Sequence, residues 1–334
     1  MRQKKNSLIG LLMFFALMLV GVQTLAQTDK ANQQGNQTAL PRINPADVLK
    51  SIGRTLPSVG EPQPPENPNA KTPANAEYHF NYGRWLENQY RYLEAEQSYR
   101  KAIDIDSSKE VYHIHLGILL FNQQRADDGI KAIQKAIDLA PQTAGWHSLL
   151  GYMYARSGKF NEANSEYKKA IDIEPYNAEL RAGFGRTLQA QKNTKDAEKE
   201  FKRATELEPR NVNWQMAMGV FYFETGKPDK ADKFFQTATG LAPKNSAIHN
   251  QYGLNLMMLN KFKEAESAFQ SAIKLDGDIA VYHNNLAGAL YNQKRYPEAR
   301  NEWLRAVELE PENAQYKRNL ATVEAMLGIK KSAS

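Results

Sequence analysis

Hydrophobic and small residues recur at one constant interval along residues 76–313, without insertions. The clearest copy is residues 144–177, AGWHSLLGYMYARSGKFNEANSEYKKAIDIEPYN. Within each copy the apolar positions lie three or four residues apart, which is the spacing of one face of an α-helix. Each copy has two such faces separated by a polar turn. The pattern therefore predicts a chain of helical hairpins.

Four positions carry most of this repetition. A glycine in the first helix is followed by a small residue, then a bulky apolar residue, then an alanine. In residues 144–177 these positions are Gly151, Ala163, Tyr167 and Ala170. A glycine within a helix costs about 0.5–1 kcal/mol relative to alanine. Its presence in six successive copies, with Ala287 in the seventh, indicates that the two helices of a hairpin approach closely.

The arrangement resembles the tetratricopeptide repeat. The resemblance covers seven copies, at residues 76–109, 110–143, 144–177, 178–211, 212–245, 246–279 and 280–313. It implies an all-α fold: an α-solenoid that winds as a right-handed superhelix, ending in a capping helix within residues 314–334. One position departs from the family pattern. The family usually has tryptophan four residues before the glycine, whereas five copies here have histidine: His79, His113, His147, His249 and His283.

Residues 1–26 have the pattern of a secretory signal peptide, with a basic start, an apolar run from Leu8 to Val22 and small residues before Gln27. We expect cleavage after Ala26 and export to the periplasm or the cell exterior. The alternative is an uncleaved inner-membrane anchor, because residues 8–26 almost suffice to cross a hydrocarbon core of about 30 Å. The sequence has no cysteine, which excludes disulfides, thiolate metal sites and a lipidated cysteine.

Residues 27–75 contain eight of the fifteen prolines among Gln, Asn and Ala, a composition that predicts a disordered linker. Within it, Asn44, Pro45 and Asp47 are helix-start signals. A helix over residues 45–56 would place four apolar residues on one side: Val48, Leu49, Ile52 and Leu56. This segment is either a transient turn in the linker or a docking helix that binds a partner or the repeats.

Charge and motifs favour a protein without catalytic function. The formal net charge is +6, and residues 2–5 supply three of the positive charges, so the remainder is too balanced to indicate nucleic-acid binding. The sequence contains no Gly-rich phosphate loop, nucleophile elbow or HExxH motif. We expect the helix carboxylates to form solvated ion pairs, among them Glu162, Glu166, Asp172, Glu174, Glu198 and Glu200. The sequence predicts no enzyme activity and no cofactor.

The histidine position permits three roles. We favour a half-buried packing residue that duplication has copied; the alternatives are a zinc ligand and a pH sensor. Zinc needs at least three protein ligands, and the only three consecutive members, His79, His113 and His147, belong to successive hairpins. We therefore predict no metal site.

The resemblance also implies a binding surface, because first helices line the concave side of tetratricopeptide arrays. The positions that face the groove give these partner-binding residues: Phe80, Arg84, Ile114, Ile118, Phe121, Asn122, Tyr152, Arg156, Arg186, Met216, Phe223, Asn250, Met257, Asn284 and Tyr291. This apolar, methionine-containing lining with arginines suits a peptide with hydrophobic anchors and carboxylates. The lysine and asparagine of chaperone-binding members are missing from their positions, so chaperone binding is not implied.

Three functions remain open at this point. The first is an exported, non-enzymatic adaptor of a bacterial cell envelope that holds a peptide or partner protein during assembly of a secretion, pilus or surface structure. The second is self-association into a structural oligomer. The third is a scaffold in polysaccharide synthesis or export, because groove aromatics can stack on sugars.

Overall fold

The computed structural model describes residues 75–329, and it divides this part of the chain after Leu207 into two compact units. The predicted signal peptide, the linker and the helix at residues 45–56 lie outside the described residues. Within residues 75–329 every regular element is an α-helix. The predicted all-α, α-solenoid fold of helical hairpins is confirmed.

The N-terminal unit contains four hairpins, each made of a first helix of 13 residues and a second helix of 14 residues. The first helices are α1 (Ala76–Asn88), α3 (Glu110–Asn122), α5 (Ala144–Arg156) and α7 (Ala178–Ala190). The second helices are α2 (Tyr92–Ile105), α4 (Ala126–Leu139), α6 (Phe160–Ile173) and α8 (Thr194–Leu207).

The C-terminal unit contains three hairpins and a final single helix. Its first helices are α9 (Val212–Glu224), α11 (Ser246–Met258) and α13 (Ala280–Asn292). Its second helices are α10 (Pro228–Leu241), α12 (Phe262–Leu275) and α14 (Tyr296–Leu309). The final helix, α15 (Ala314–Met326), packs on α14.

The glycine position explains how closely the helices of one hairpin approach. A Cβ atom at Gly83 would lie 2.7 Å from the ring of Tyr99, and one at Gly253 would lie 2.5 Å from the ring of Phe269. Both distances are far inside van der Waals contact, so the bulky ring of the second helix occupies the space that a side chain on the first helix would need. This confirms the close approach that the repeated glycines predict.

The turn inside each hairpin contains one residue with left-handed backbone geometry, again at the same position of every repeat. Glycine holds this position at Gly158 and Gly226, and Gly328 has the same geometry after the final helix α15, with φ of 70–74°. Other residues hold it in the remaining copies, with φ of 56–66°: Tyr90, Gln124, Lys192, Asn260 and Lys294. A non-glycine residue in this conformation costs roughly 1 kcal/mol. The backbone geometry of the turn is therefore the same in every copy, although the residue type at this position differs.

Successive hairpins pack through the second helix of one and the first helix of the next. Tyr112, Leu116 and Leu119 of α3 are buried in a cluster against which Ile103 of α2 also packs. This junction repeats along each unit, so a first helix is covered on one side by its own hairpin and on another by the preceding one.

No helix among α1–α15 combines the length and the apolar composition that crossing a lipid bilayer requires.

Candidate partner-binding surface

The structure separates the predicted groove residues into two groups. The first group is buried, and it contains Phe80, Ile114, Ile118, Phe223, Asn250, Met257 and Asn284. The second group retains solvent exposure, and it contains Arg84, Phe121, Asn122, Tyr152, Arg156, Arg186, Met216 and Tyr291. Because these side chains are buried, they offer little surface to a partner in this structure, and their role as partner contacts stays a prediction.

Two members of the first group are buried in part by a neighbouring first helix. Ile114 and Ile118 of α3 have no exposed surface and share a core cluster with Trp146 and Leu149 of α5. Tyr152 covers the same cluster and remains half-buried. In this unit the first-helix side that the repeat pattern assigns to a groove is thus partly core.

We give the name arginine face to the arginines and aromatic residues of this second group that belong to first helices of the N-terminal unit: Arg84, Phe121, Tyr152, Arg156 and Arg186. Arg156 donates a hydrogen bond of 3.2 Å to the Tyr152 hydroxyl, and its guanidinium carbon lies 5.7 Å from the centre of that ring. The Arg84 guanidinium lies 5.9 Å from the Phe80 ring.

The hydroxyl group of one buried tyrosine lies near two residues of the arginine face. Tyr167 of α6 is fully buried, and burial raises its pKa to about 12, with the Arg186 charge acting in the opposite direction and Tyr152 in the same one. Arg186 and Tyr152 therefore both lie within electrostatic reach of the same buried hydroxyl.

Glu87 is the carboxylate nearest to Arg84 along α1, and it is already bonded. Its Oε2 atom accepts a hydrogen bond of 2.7 Å from the Tyr99 hydroxyl. Burial raises the pKa of Glu87, while the bond from Tyr99 and the charge of Arg84 act to lower it. The pKa of Tyr99 is raised by its own burial and then by the Glu87 charge.

The arginines of the arginine face differ from the other arginines of the N-terminal unit. Those on second helices and in turns form ion pairs with carboxylates, such as Arg100 with Glu96 at 2.8 Å. Within residues 75–329, Arg84, Arg156 and Arg186 have no carboxylate at salt-bridge distance. In addition, Nη1 of Arg84 and Nε of Arg156 are buried without a hydrogen-bond partner among the described residues. A carboxylate supplied from outside would pair with the solvent-exposed N–H groups of these arginines, which hold no carboxylate of this part of the chain.

The C-terminal unit uses polar residues of its first helices among themselves. Asn284 Oδ1 accepts hydrogen bonds from Asn319 at 2.9 Å and from the Trp303 indole at 3.1 Å. Asn284 donates to Asn285 at 3.2 Å, and Asn285 donates to Asn250 at 2.9 Å. We call these five residues the asparagine network. Its members are buried and connect α11, α13, α14 and α15, so they stabilise the unit rather than offer donors to a partner.

The side chain at the histidine position forms hydrogen bonds to the turn between two hairpins and to a carboxylate on the second helix of its own hairpin. His147 places Nδ1 2.7 Å from a carboxylate oxygen of Glu166 and Nε2 3.0 Å from the Pro141 carbonyl oxygen. Because both contacts are acceptors, the ring fills both only as an imidazolium. The hydrogen bond to Glu166 raises the pKa of His147, and burial acts in the opposite direction.

The same geometry recurs in other copies. His283 lies 2.7 Å from Glu302 and 3.0 Å from the Gly277 carbonyl oxygen, and its pKa is raised for the same reason. Arg181 takes the position in α7, where it donates to Glu200 at 3.0 Å and to the Pro175 carbonyl at 3.3 Å. The predicted packing role therefore extends to a hydrogen-bonding one. The expectation that Glu166 and Glu200 are solvated is wrong, because both are buried against these partners.

His115 of α3 lies outside this pattern. It is buried, and neither ring nitrogen has a hydrogen-bond partner among the described residues. The ring packs against Phe80 at 4.9 Å and Tyr99 at 5.7 Å between centres. Burial and the nearby Arg84 charge lower the pKa of His115 to about 3, so the ring is neutral near pH 7. The described residues contain no group of three or more His, Cys, Asp or Glu side chains placed to hold a metal ion.

Comparisons with known proteins agree with this architecture. Models described as "Tetratricopeptide repeat" match residues 76–109, 115–178, 154–219, 188–253 and 253–314. No curated protein sequence gives a significant match.

Solved structures of the same type are similar in fold. A tetratricopeptide repeat protein from Parabacteroides merdae is 14% identical, with a TM-score of 0.53, over 74% of this chain and 98% of its own. Pseudomonas aeruginosa pilF is 19% identical, with a TM-score of 0.52, over 65% of this chain and 98% of its own. A chain of the APC/C hetero-tetramer Cut9–Hcn1 is 16% identical, with a TM-score of 0.51, over 75% of this chain and 49% of its own.

These identities are low enough that the likeness concerns the fold alone, whereas the family models match the sequence itself along most of residues 76–314. The seven helical hairpins have the length, the glycine and alanine positions and the packing of that repeat. The chain belongs to the tetratricopeptide repeat family, whose repeats serve as protein-interaction scaffolds.

Proposed function

We propose that the arginine face binds a peptide segment of a partner protein that carries carboxylates beside apolar anchors, and that the protein acts as a non-enzymatic scaffold. The observation that supports this most is the set of three arginines that hold no carboxylate among the described residues, Arg84, Arg156 and Arg186, together with the half-exposed rings of Tyr152 and Phe121. Aromatic and arginine side chains supply most of the affinity in protein interfaces.

The energetics favour an acidic segment over a neutral one. An arginine that already holds a carboxylate must exchange one partner for another, whereas Arg84, Arg156 and Arg186 hold no carboxylate among the described residues. A charge-assisted hydrogen bond contributes about 1.5–3 kcal/mol. We therefore expect each arginine that engages a carboxylate to change the dissociation constant by roughly 10- to 100-fold.

We further propose that the scaffold works in a bacterial cell envelope, during assembly of a secretion, pilus or surface structure. Support for this comes from the amino-terminal sequence, in which residues 1–26 have the order of basic, apolar and small residues of an export signal. In this proposal the mature chain begins at Gln27 and the partner is another exported protein. Amino-terminal sequencing of protein recovered from a periplasmic fraction tests the location, and a chain that still begins at Met1 would contradict it.

The binding proposal is tested with a peptide array that pairs each acidic peptide with a copy in which Glu and Asp are replaced by Gln and Asn. The full chain is compared with the variant Arg84→Gln/Arg156→Gln/Arg186→Gln. The matched control is Arg100→Gln/Arg125→Gln/Arg203→Gln, which removes the same charge from arginines that pair with carboxylates within the same unit.

We expect the native chain and the control variant to retain the same acidic peptides, and the arginine-face variant to lose them. Loss in both variants would attribute binding to net charge alone. Retention in both variants would remove the arginine face from the binding site.

A further inference from the structure

The first helix of the first hairpin, α1, has aromatic rings that are partly exposed to solvent, whereas the side chains at the same positions of later hairpins are buried. Tyr78, Tyr82 and Trp85 of α1 are half-buried and stack in sequence along the helix. The Tyr78 and Tyr82 rings lie 6.2 Å apart with planes inclined by 23°, and the Tyr82 and Trp85 rings lie 5.8 Å apart with planes inclined by 11°. We call these three residues the end face.

The equivalent residues of the later hairpins are buried by the preceding second helix. In α3 they are Tyr112, Leu116 and Leu119, and in α5 they are Trp146, Leu150 and Met153; all six are buried. The isoleucine of a Lys-Ala-Ile sequence in the preceding helix packs against each cluster: Ile103 of α2 and Ile137 of α4. The end face is thus one half of a hairpin junction, and no described residue supplies the other half.

The sequence before α1 contains a segment that matches the missing half in composition. Lys50-Ser51-Ile52 has the same order as Lys101-Ala102-Ile103, with a small residue before the isoleucine. Val48 precedes Ile52 by four residues, as Tyr99 precedes Ile103, so both pairs share one helix face. We propose that residues 44–56 form a helix that docks on the end face, with Ile52 taking the place that Ile103 has at the next junction.

The connection permits this docking without a tight turn. Second helices of the repeats end four residues before the next first helix, whereas residues 57–74 separate the segment from Asn75 and the start of α1. Eighteen residues can span up to roughly 60 Å. Packed helices lie about 8–10 Å apart, and a helix of the length of α1 is about 20 Å long. The linker therefore reaches every orientation of the segment along the end face.

The chain's own segment is a better occupant than an external helix because it is tethered. A short flexible connection gives an effective concentration in the millimolar range, so even a weak contact between the helices is populated. A second copy of the chain could offer the same segment only at its free concentration. The proposal thus makes the array self-capped at its amino-terminal end and does not depend on the arginine face.

The absence of native cysteine makes disulfide trapping a direct test. Ile52→Cys is combined with Tyr78→Cys in one variant and with Tyr82→Cys in a second, so that loss of one ring does not decide the result. The control combines Ile52→Cys with Lys168→Cys, an exposed position on α6. All variants are prepared as the full mature chain and are checked by circular dichroism before oxidation in a glutathione buffer at micromolar protein concentration.

We expect the end-face pairs to form an intramolecular disulfide at least about tenfold faster than the control pair. Adding Leu49→Asp and Leu56→Asp should return that rate to the control value, because charged residues cannot be buried against the rings. Disulfide-linked dimers as the main product would overturn the proposal in favour of a second copy. Equal rates for the end-face and control pairs would show that the segment does not dock there.

Discussion

Both units have polar residues at groove positions of their first helices, but the partners of these side chains differ between the two units. In the N-terminal unit, Arg84, Arg156 and Arg186 hold no carboxylate among the described residues. In the C-terminal unit, Asn250 and Asn284 are bonded to other amides and to an indole. A groove position therefore does not by itself determine the role of a polar side chain. A polar side chain becomes structural when the neighbouring hairpins supply its partners, and it remains available for binding when they do not.

The largest effect expected from this comparison is in the asparagine network. Replacing Asn284 by Leu leaves Trp303 Nε1, Asn319 Nδ2 and Asn285 Oδ1 without partners in a buried site. Each such group costs about 1–3 kcal/mol, so we expect a loss of about 3–5 kcal/mol in the free energy of unfolding. Hydrogen exchange of the α13 and α15 amides measures the loss locally.

The matched control is Asn292→Leu, at an exposed position of the same helix that should change stability by less than about 0.5 kcal/mol. Peptide binding at the arginine face should survive the Asn284 change. An effect below about 1 kcal/mol would mean that the network is not structural.

A second effect separates buried histidines with and without partners. His115 stays neutral in the folded state because its pKa is lowered to about 3, whereas the unfolded chain protonates near pH 6.5. The unfolded state therefore binds more protons between these values, and stability falls as the pH falls through this window. Between pH 8 and pH 5 this contribution amounts to about 2 kcal/mol.

His115→Phe should remove that acid sensitivity, which urea unfolding at pH 8 and pH 5 measures. The comparison uses the difference between the two pH values, so a constant packing cost of the substitution cancels. An unchanged pH dependence in the variant would show that His115 is protonated in the folded protein.

The partnered histidine of the C-terminal unit should respond with the opposite sign. The pKa of His283 is raised by its hydrogen bond to Glu302, so its contribution is complete below the unfolded value near pH 6.5. It is lost as the pH rises through the raised folded value. We expect His283→Gln to cost about 1 kcal/mol at pH 6 and less at pH 8.5, from urea unfolding at the two values.

His113→Gln is the matched control, since the His113 ring contacts the Ser107 carbonyl oxygen at the longer distance of 3.3 Å. An equal cost for both substitutions at both pH values would contradict the imidazolium assignment.

The smallest effect should be the same in both units, because it depends on the turn and not on the surface. Lys192 and Lys294 hold left-handed geometry, with φ of 61° and 64°. Replacing either by glycine should raise the free energy of unfolding by about 0.5–1 kcal/mol. Thermal unfolding measures the gain, and Gly158→Ala should give a loss of similar size. A gain in only one unit would mean that the turns are not equivalent.

The fold follows from the sequence because its determinants are local and periodic. The glycine at position 151 and the ring at position 167 belong to one hairpin, and every hairpin repeats their spacing. The left-handed turn can also be predicted from the sequence, because Gly158, Gly226 and Gly328 are separated by multiples of the repeat length. This pattern is weak in the sequence, because five other copies have a residue other than glycine at that position.

The candidate site is harder to predict from the sequence, because the solvent exposure of a side chain depends on which side chains it contacts in neighbouring hairpins. Ile118 and Tyr152 occupy the same repeat position, yet Ile118 is buried and Tyr152 reaches solvent. His147 and Glu166 are separated by 19 residues, and their pairing becomes visible only when His283 and Glu302, with the same separation, are compared. In the asparagine network, the bonds Asn285–Asn250 and Asn319–Asn284 each join residues 35 positions apart. They recur one repeat length apart in the C-terminal unit alone, so the sequence pattern of the other hairpins does not reveal them.

The most direct test of the central claim is a double-mutant cycle on one acidic peptide from the array. Affinities are measured by fluorescence anisotropy for the full chain and for each of the variants Arg84→Gln, Arg156→Gln and Arg186→Gln, with the peptide and with copies in which one Glu at a time is replaced by Gln. Binding of carboxylates by the arginine face predicts a coupling energy of about 1–2 kcal/mol for one arginine–carboxylate pair. A coupling energy of zero for Arg84, Arg156 and Arg186 with every carboxylate of the peptide would contradict it.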